Sequence, residues 1–303
     1  MKKPDKRISD RVSPRQQRNW DWRAAANFIA GGAGGALLLF AAVAGAEAEA
    51  TRMAILLGMI LIGTGLTCVW FEIGRPWRAL NVYRHFATSW MTREAVVALV
   101  LFAAGALAVL TLRPLFVILT GILGLAFLYS QARILAANKG IPTWRHPRSI
   151  SLMVATGLAE GGGFLVCVLA LSSAQPSAPA LIGLVVLIAI RAFFWKAYLG
   201  GLVADGAPEG ALKVLNGIAS RLTIFGHVLP ALFVIAALTG MPGRAALIFA
   251  AGIMVVATGW FLKFTLVRRA AFTQGLALMR LPVRGGGIAG PATKPGWKAI
   301  AGT

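Results

Sequence analysis

The sequence predicts an all-α integral membrane protein with eight transmembrane helices arranged as two four-helix bundles. Three observations predict this. The 303 residues are 58% hydrophobic and only 13% charged, with a mean hydropathy of +0.75, which is too little charge for a soluble domain. The apolar residues run in long stretches without period-two alternation, which selects helices over a barrel. The positive charge, formally +20, collects in every second connection between those stretches.

Taken in order, residues 1–23 form a basic arm carrying eight Lys or Arg. The apolar run that follows is too long for a removable leader and has no cleavage pattern, so no cleaved signal is expected. Trp20 and Trp22 are expected to anchor the first span at the interface. At about 20 apolar residues per crossing, spans are predicted at 24–46, 53–71, 95–112 and 114–132, and the first bundle covers 24–135. Residues 136–149 connect the halves, because Pro142 and Pro147 stop one helix from running through. The second bundle, 150–270, has spans at 150–171, 179–199, 219–240 and 244–265. A Gly/Pro-rich segment, 271–303, is expected to be a flexible tail.

Of the 30 Lys and Arg, 26 lie in 1–23, 72–94, 133–149, 192–221 and 263–303. The alternate connections hold only Arg52, Arg113 and Arg244. The positive-inside rule then puts both termini and the 72–94 loop in the cytoplasm, on a multi-pass protein of the cytoplasmic membrane. The charge is explained by topology, so nucleic acid is not an expected partner. Cys68 and Cys167 fall inside spans without metal-ligand spacing and read as small core residues.

The segment EIGRPWRALNVYRHFATSWMTREA, from Glu72 to Ala95, carries more polar and aromatic chemistry than a helix connection requires. Around it, polar residues gather at one depth. Asn27 opens the first span, and Glu72 and Arg75 follow the second. Trp90, Arg93 and Glu94 open the third, and Tyr129, Gln131 and Arg133 close the fourth. Trp77, Arg78 and Asn81 of the loop join the same candidate set. Acids and amide or hydroxyl donors beside an aromatic-lined cleft suit a quinone, whose head group needs hydrogen bonds and a proton exchanger. Glu72 and Glu94 are the candidate exchangers. The same residues also read as interfacial anchors and caps, with Thr92 as N-cap of the third span, and composition does not separate the two readings.

Small residues crowd several spans, notably Gly31–Gly35, Gly58, Gly63, Gly65 and Gly157–Gly163. Tight helix packing explains them. Alternatively, the Gly31–Gly35 patch lets a flat ring approach the backbone beside Asn27. Deeper in the second half lie Glu160, Arg191 and His227, roughly 12–15 Å from the cytoplasmic ends at 1.5 Å per residue. Buried charges in lipid are paired, so Glu160 and Arg191 are expected to face each other. With His227 the only intramembrane histidine, a haem held between two helices is not expected, and no metal site is predicted.

The order of these residues resembles a family, the hydrophobic anchor subunits of the dimethyl sulfoxide reductase and NrfD/polysulfide reductase group. GRPWRALN, SWMTREA and the opening NWDWRAAANFIAGGAGG carry the resemblance, across roughly residues 20–270. It implies a haem-free, quinone-reactive subunit (ubiquinone or menaquinone) with an iron–sulfur ferredoxin-like subunit and a molybdopterin catalytic subunit as partners. By position, Glu72 and Glu94 match places implicated in quinol handling in that family, and Asn27 and Tyr129 fall in its quinone-lining regions. Many members carry their catalytic subunits outside the cytoplasmic membrane, whereas the charge bias here places the docking loop inside. This chain therefore looks like the cytoplasm-facing branch, of the phenylacetyl-CoA:acceptor oxidoreductase or sulfite-oxidising kind, and its NWDWRAAANFIAGG and KGIPTWRHPRS segments look more like the former. The alternative from another class is a secondary transporter or ion carrier using Glu160, Arg191 and His227, which inverted repeats would support and the sequence does not display.

Overall fold

A computed structural model describes residues 13–72, 82, 86–172 and 175–275. Among them, eight helices are long and apolar enough to cross a membrane. They are α1 (Trp22–Val43), α2 (Ala48–Glu72), α3 (Trp90–Thr111), α4 (Pro114–Ala136), α5 (Arg148–Leu171), α6 (Ala178–Ala204), α7 (Glu209–Leu238) and α8 (Arg244–Arg269). Each predicted span is found, and several extend further at the basic end. There the chain turns polar without ceasing to be helical: α4 continues past Arg133 to Ala136, and α7 starts at Glu209 rather than 219. The added segment Glu209–Arg221 is amphipathic and buries Ala211, Leu215 and Ile218 along one stripe.

Local chemistry sets the helix ends. Ser89, not Thr92, caps α3: its hydroxyl accepts from the Thr92 N–H at 3.4 Å, and the Thr92 hydroxyl donates to the Val82 carbonyl instead. Leu112 closes α3 in the left-handed region (φ 48°), and Pro114 opens α4 immediately afterwards.

The centre of the molecule is α1, which packs against α2, α4 and α5, while α5 also packs against α6 and α8. The first four and the last four spans therefore meet along α1 and α5, not only through the connector. Glycines allow the close crossings. A Cβ on Gly35 would strike the Gly124 carbonyl, one on Gly34 the Gly58 carbonyl, and one on Gly163 the Gly252 carbonyl. With lipid on the outside, such backbone contact replaces the hydrophobic drive that holds soluble bundles together.

Three helices carry a π-helical stretch: Asn27–Gly31 in α1, Leu222–Val228 in α7 and Thr265–Arg269 at the end of α8. Such stretches free or re-aim backbone groups and are frequent at functional sites. At the basic end, the N-terminal arm pairs with the chain beyond α8. Gln17 N–H donates to Ala271 O at 2.8 Å and Thr273 N–H to Arg15 O at 2.7 Å. So 271–275, the start of the segment expected as a flexible tail, is held. The connector contributes core as well as linkage. Trp144 is buried and donates its indole N–H to Leu266 O at 2.9 Å, and Trp20 stacks on it with ring centroids 4.7 Å apart. Trp20 thus faces the protein, and only Trp22 stands outward as an interface anchor.

Candidate functional site

Three helices bring one carboxylate and two amides together at the basic end of the bundle. Glu94 sits on the second turn of α3 and is 6% exposed; Asn27 on α1 and Gln131 on α4 are at least as buried. The Asn27 side-chain amide donates to Glu94 Oε1 at 3.3 Å, and the Gln131 amide donates to the Asn27 main-chain carbonyl at 2.9 Å. That carbonyl opens the π-helical stretch of α1, where it is available to a side chain. Because Gln131 spends its N–H on a carbonyl, its orientation is fixed and its Oε1 must face away. Both Gln131 Oε1 and Asn27 Oδ1 are buried acceptors without a protein partner. A buried acceptor left unmatched costs about 1–3 kcal/mol, so each of these oxygens calls for a donor.

The remaining sequence-predicted residues divide into three groups. Trp90, Arg93 and Tyr129 form a half-exposed corner with Arg133. The guanidinium carbons of Arg93 and Arg133 lie 4.3 and 4.6 Å from the Trp90 ring centroid, and Arg133 donates to the Tyr129 hydroxyl at 3.0 Å. Tyr129 is 40% exposed and meets Trp90 edge-on rather than joining the buried amides. Glu72 stands at the end of α2 beside the start of α1, where its carboxylate accepts from Asp21 N–H at 3.4 Å. No bond joins it to Glu94 among the described residues. Asp21 itself caps α1, and its hydrogen bonds from Arg23 hold its carboxyl below the usual carboxylate range. Arg75, Trp77, Arg78 and Asn81 lie outside the described residues.

The second-half trio is arranged differently from expectation. Glu160 does not pair with Arg191. Its Oε2 accepts from Lys263 Nζ at 2.5 Å, and Glu160, Lys263 and Arg191 are each 0% exposed. Arg191 instead donates to the carbonyls of Val255 (2.9 Å) and Gly226, and to His227 Nε2 at 3.3 Å. Position along α8 explains the exchange. Lys263 lies one turn beyond Gly259, the residue level with Glu160, whereas Arg191 bonds at Val255 and Thr258.

Lys263 is the residue that sequence reasoning missed. The signal was present in FLKFTLV, where apolar residues continue past the lysine and leave it inside the span. The Gly31–Gly35 patch also has occupants other than a ligand ring. Gln131 fills the space at Gly31, Lys263 and Gln131 share the space at Gly32, and Gly34 and Gly35 meet neighbouring backbones. Several of the buried polar groups rest where a glycine lacks a side chain. Gly65 makes room for Asn27, Gly259 for Glu160 and Gly226 for Arg191.

Known proteins resemble this chain in sequence. The model of the DMSO reductase anchor subunit family (DmsC) matches residues 27–237. The C component of the sulfite dehydrogenase of Allochromatium vinosum is 31% identical over 125 residues, which is 35% of this chain and 38% of that protein. The C component of the anaerobic dimethyl sulfoxide reductase of Escherichia coli is 29% identical over 109 residues, 33% of this chain and 38% of that protein. The matched region therefore spans 38% of the length of each of these curated relatives.

Proposed function

This chain belongs to the dimethyl sulfoxide reductase anchor subunit family, and from that premise we propose that it anchors a respiratory oxidoreductase and exchanges electrons with membrane quinone. The proposed partners are an iron–sulfur ferredoxin-like subunit and a molybdopterin catalytic subunit, docked on the basic, cytoplasmic face of the inner membrane. The gathering of 26 of the 30 Lys and Arg in 1–23, 72–94, 133–149, 192–221 and 263–303 supports that side. The likeness to a sulfite dehydrogenase component supports the sulfite-oxidising reading, with electrons passing from the iron–sulfur partner to quinone.

The observation that carries the quinone site is buried Glu94 with its two amides and their unmatched acceptors. The residues fit such a ligand. A quinone supplies reversible two-electron, two-proton chemistry, and its reduced head group brings the hydroxyl donors that Asn27 Oδ1 and Gln131 Oε1 lack. Glu94 holds the exchangeable proton at its carboxyl, oriented by the Asn27 amide. Burial of all three side chains keeps bulk water from the proton being moved. Trp90 and Tyr129 stand on the lipid side, where an isoprenoid tail leaves, and Glu72 offers a second carboxyl toward the loop.

Glu94→Gln keeps the shape and removes the proton. In membranes carrying the assembled complex, quinone-linked turnover should fall about 10²–10⁴-fold. Dye-linked activity of the catalytic subunit and the amount of complex should stay at the wild-type level. Full quinone-linked turnover in Glu94→Gln would remove this site from the mechanism.

A further inference from the structure

Four ionisable side chains, two carboxylates and two cations, are buried in this membrane protein and are drawn from both halves. Glu160, Lys263 and Arg191 are completely buried, and as ionised groups they leave one positive charge over. Arg191 has no carboxylate bonded to it among the described residues, only carbonyls, His227 and Thr258. A surplus charge in a low-dielectric bundle needs an opposite charge within reach. Glu94 is the buried carboxylate of the first half, and among the described residues no cation is bonded to it.

The link between the halves is the slot at Gly32. Lys263 Nζ stands 2.7 Å, and Gln131 Oε1 3.2 Å, from the point where a Gly32 Cβ would lie. The ammonium and the orphaned amide oxygen therefore look into the same side-chain-free space from α8 and α4. Gln131 in turn donates to Asn27 O, and Asn27 donates to Glu94. Glu160 sits on the far side of Lys263, in the Gly259 slot, with its second oxygen also unmatched.

We propose that Lys263 is a positioning residue of the Glu94 site, acting through Gln131 across the Gly32 slot. Its ammonium orients the Gln131 carbonyl through one bridging water in the slot that both share. The groups facing this link are Gln131 from α4, Asn27 from α1, Glu160 from α5 and, one turn deeper, Arg191 from α6 with His227 from α7. Arg93 and Arg133 are turned outward onto Trp90 and take no part. Glu160 keeps Lys263 charged and directed inward.

This inference rests on the quinone-site reading, and its test separates the two. The assembled complex is assayed with a short-chain ubiquinone analogue between about pH 5.5 and 9. The variants are Lys263→Met with Glu160→Leu, Gln131→Met, the combination of all three, and Glu94→Gln. Removing the buried pair together spares the fold, because well-packed apolar replacements of both partners are tolerated. The acid limb of kcat/KM should move up by less than the roughly 1–3 units that loss of a lone opposite charge gives, because the pair removes one charge of each sign and acts through the released Gln131 carbonyl. Gln131→Met should give a similar displacement, and the triple variant should add little to either, as expected of residues acting in one chain. If the pair variant assembles and keeps the wild-type profile, Lys263 is only a packing residue and the proposal fails. If the pair variant does not assemble, Gln131→Met decides: an unmoved profile there overturns the proposal equally. Wild-type turnover in Glu94→Gln would sink the quinone site itself, whereas its loss alongside an unmoved pair profile sinks only the role of Lys263.

Discussion

Glu94 and Glu160 are both buried carboxylates in the same membrane protein, yet they are held by opposite means. Glu160 is bonded to a cation at 2.5 Å within a set of fully enclosed charges, so removing one partner strands the other. Glu94 is held by a neutral amide at 3.3 Å, beside acceptors that have no partner. An ion pair fixes its members and their helices. An amide-held acid can change protonation without breaking a direct ion pair, which suits the exchange chemistry proposed for it. On that proposal the first half reacts and the second holds charge in place.

The largest expected effect tests that contrast through assembly. Glu160→Leu alone leaves Lys263 as an unpaired buried cation, a loss of about 3–5 kcal/mol, enough to deplete the folded subunit. Glu94→Leu breaks no direct ion pair and leaves an amide N–H unmatched, about 1–3 kcal/mol. Quantifying folded subunit in detergent extracts should rank Glu160→Leu well below Glu94→Leu, and equal losses would erase the distinction.

A smaller effect is expected at the slot between the regions. A Cβ at Gly32 would crowd both Lys263 Nζ and Gln131 Oε1, whereas one at Gly183 meets nothing within 4 Å. Gly32→Ala should cost about 1–3 kcal/mol, the usual scale of overpacking. Gly183→Ala should be neutral or better in a thermal melt of the solubilised protein. If the two variants melt alike, the slot is not a tight contact.

The smallest effect comes from a third acidic pair, at the surface, which shows what partial exposure does. His146 Nε2 lies 3.4 Å from Asp205 Oδ2, and its Nδ1 accepts from Arg148 N–H at 3.2 Å. Burial pushes the His146 imidazole below its usual value, outweighing the attraction of Asp205. The folded protein then binds that proton less readily than the unfolded chain, whose histidine titrates near 6.5. The stabilisation is complete above that pH and is lost as pH falls through and below it. Amide exchange in the connector should quicken on going from pH 7.5 to 5.5, and His146→Gln should flatten that dependence. An unchanged exchange rate in the wild type would mean that His146 is not held neutral.

The eight helices were legible in the sequence because a bilayer imposes a length and a polarity on every crossing. The charge bias that orients them is legible for a related reason, since Lys and Arg count one by one along the chain. Glu94, Asn27 and Gln131 were also nameable in advance, as polar residues at equal depth on helices that had to be neighbours. Which of the candidates touch was not. Trp90, Arg93 and Tyr129 share that depth, but the rotation of α3 and α4 turns them outward to one another. The partner of Glu160 escaped for the same reason. Depth along a helix can be counted from sequence, but the face a residue presents to a particular neighbour depends on how the helices cross. Here that is set by glycines such as Gly32 and Gly259, whose missing side chains decide where Lys263 and Glu160 come to rest. Sequence alone thus determined the class, the spans and the inventory of buried polar groups. Tertiary structure alone decided their pairing, because pairing depends on close approach between distant segments, and that is settled by packing.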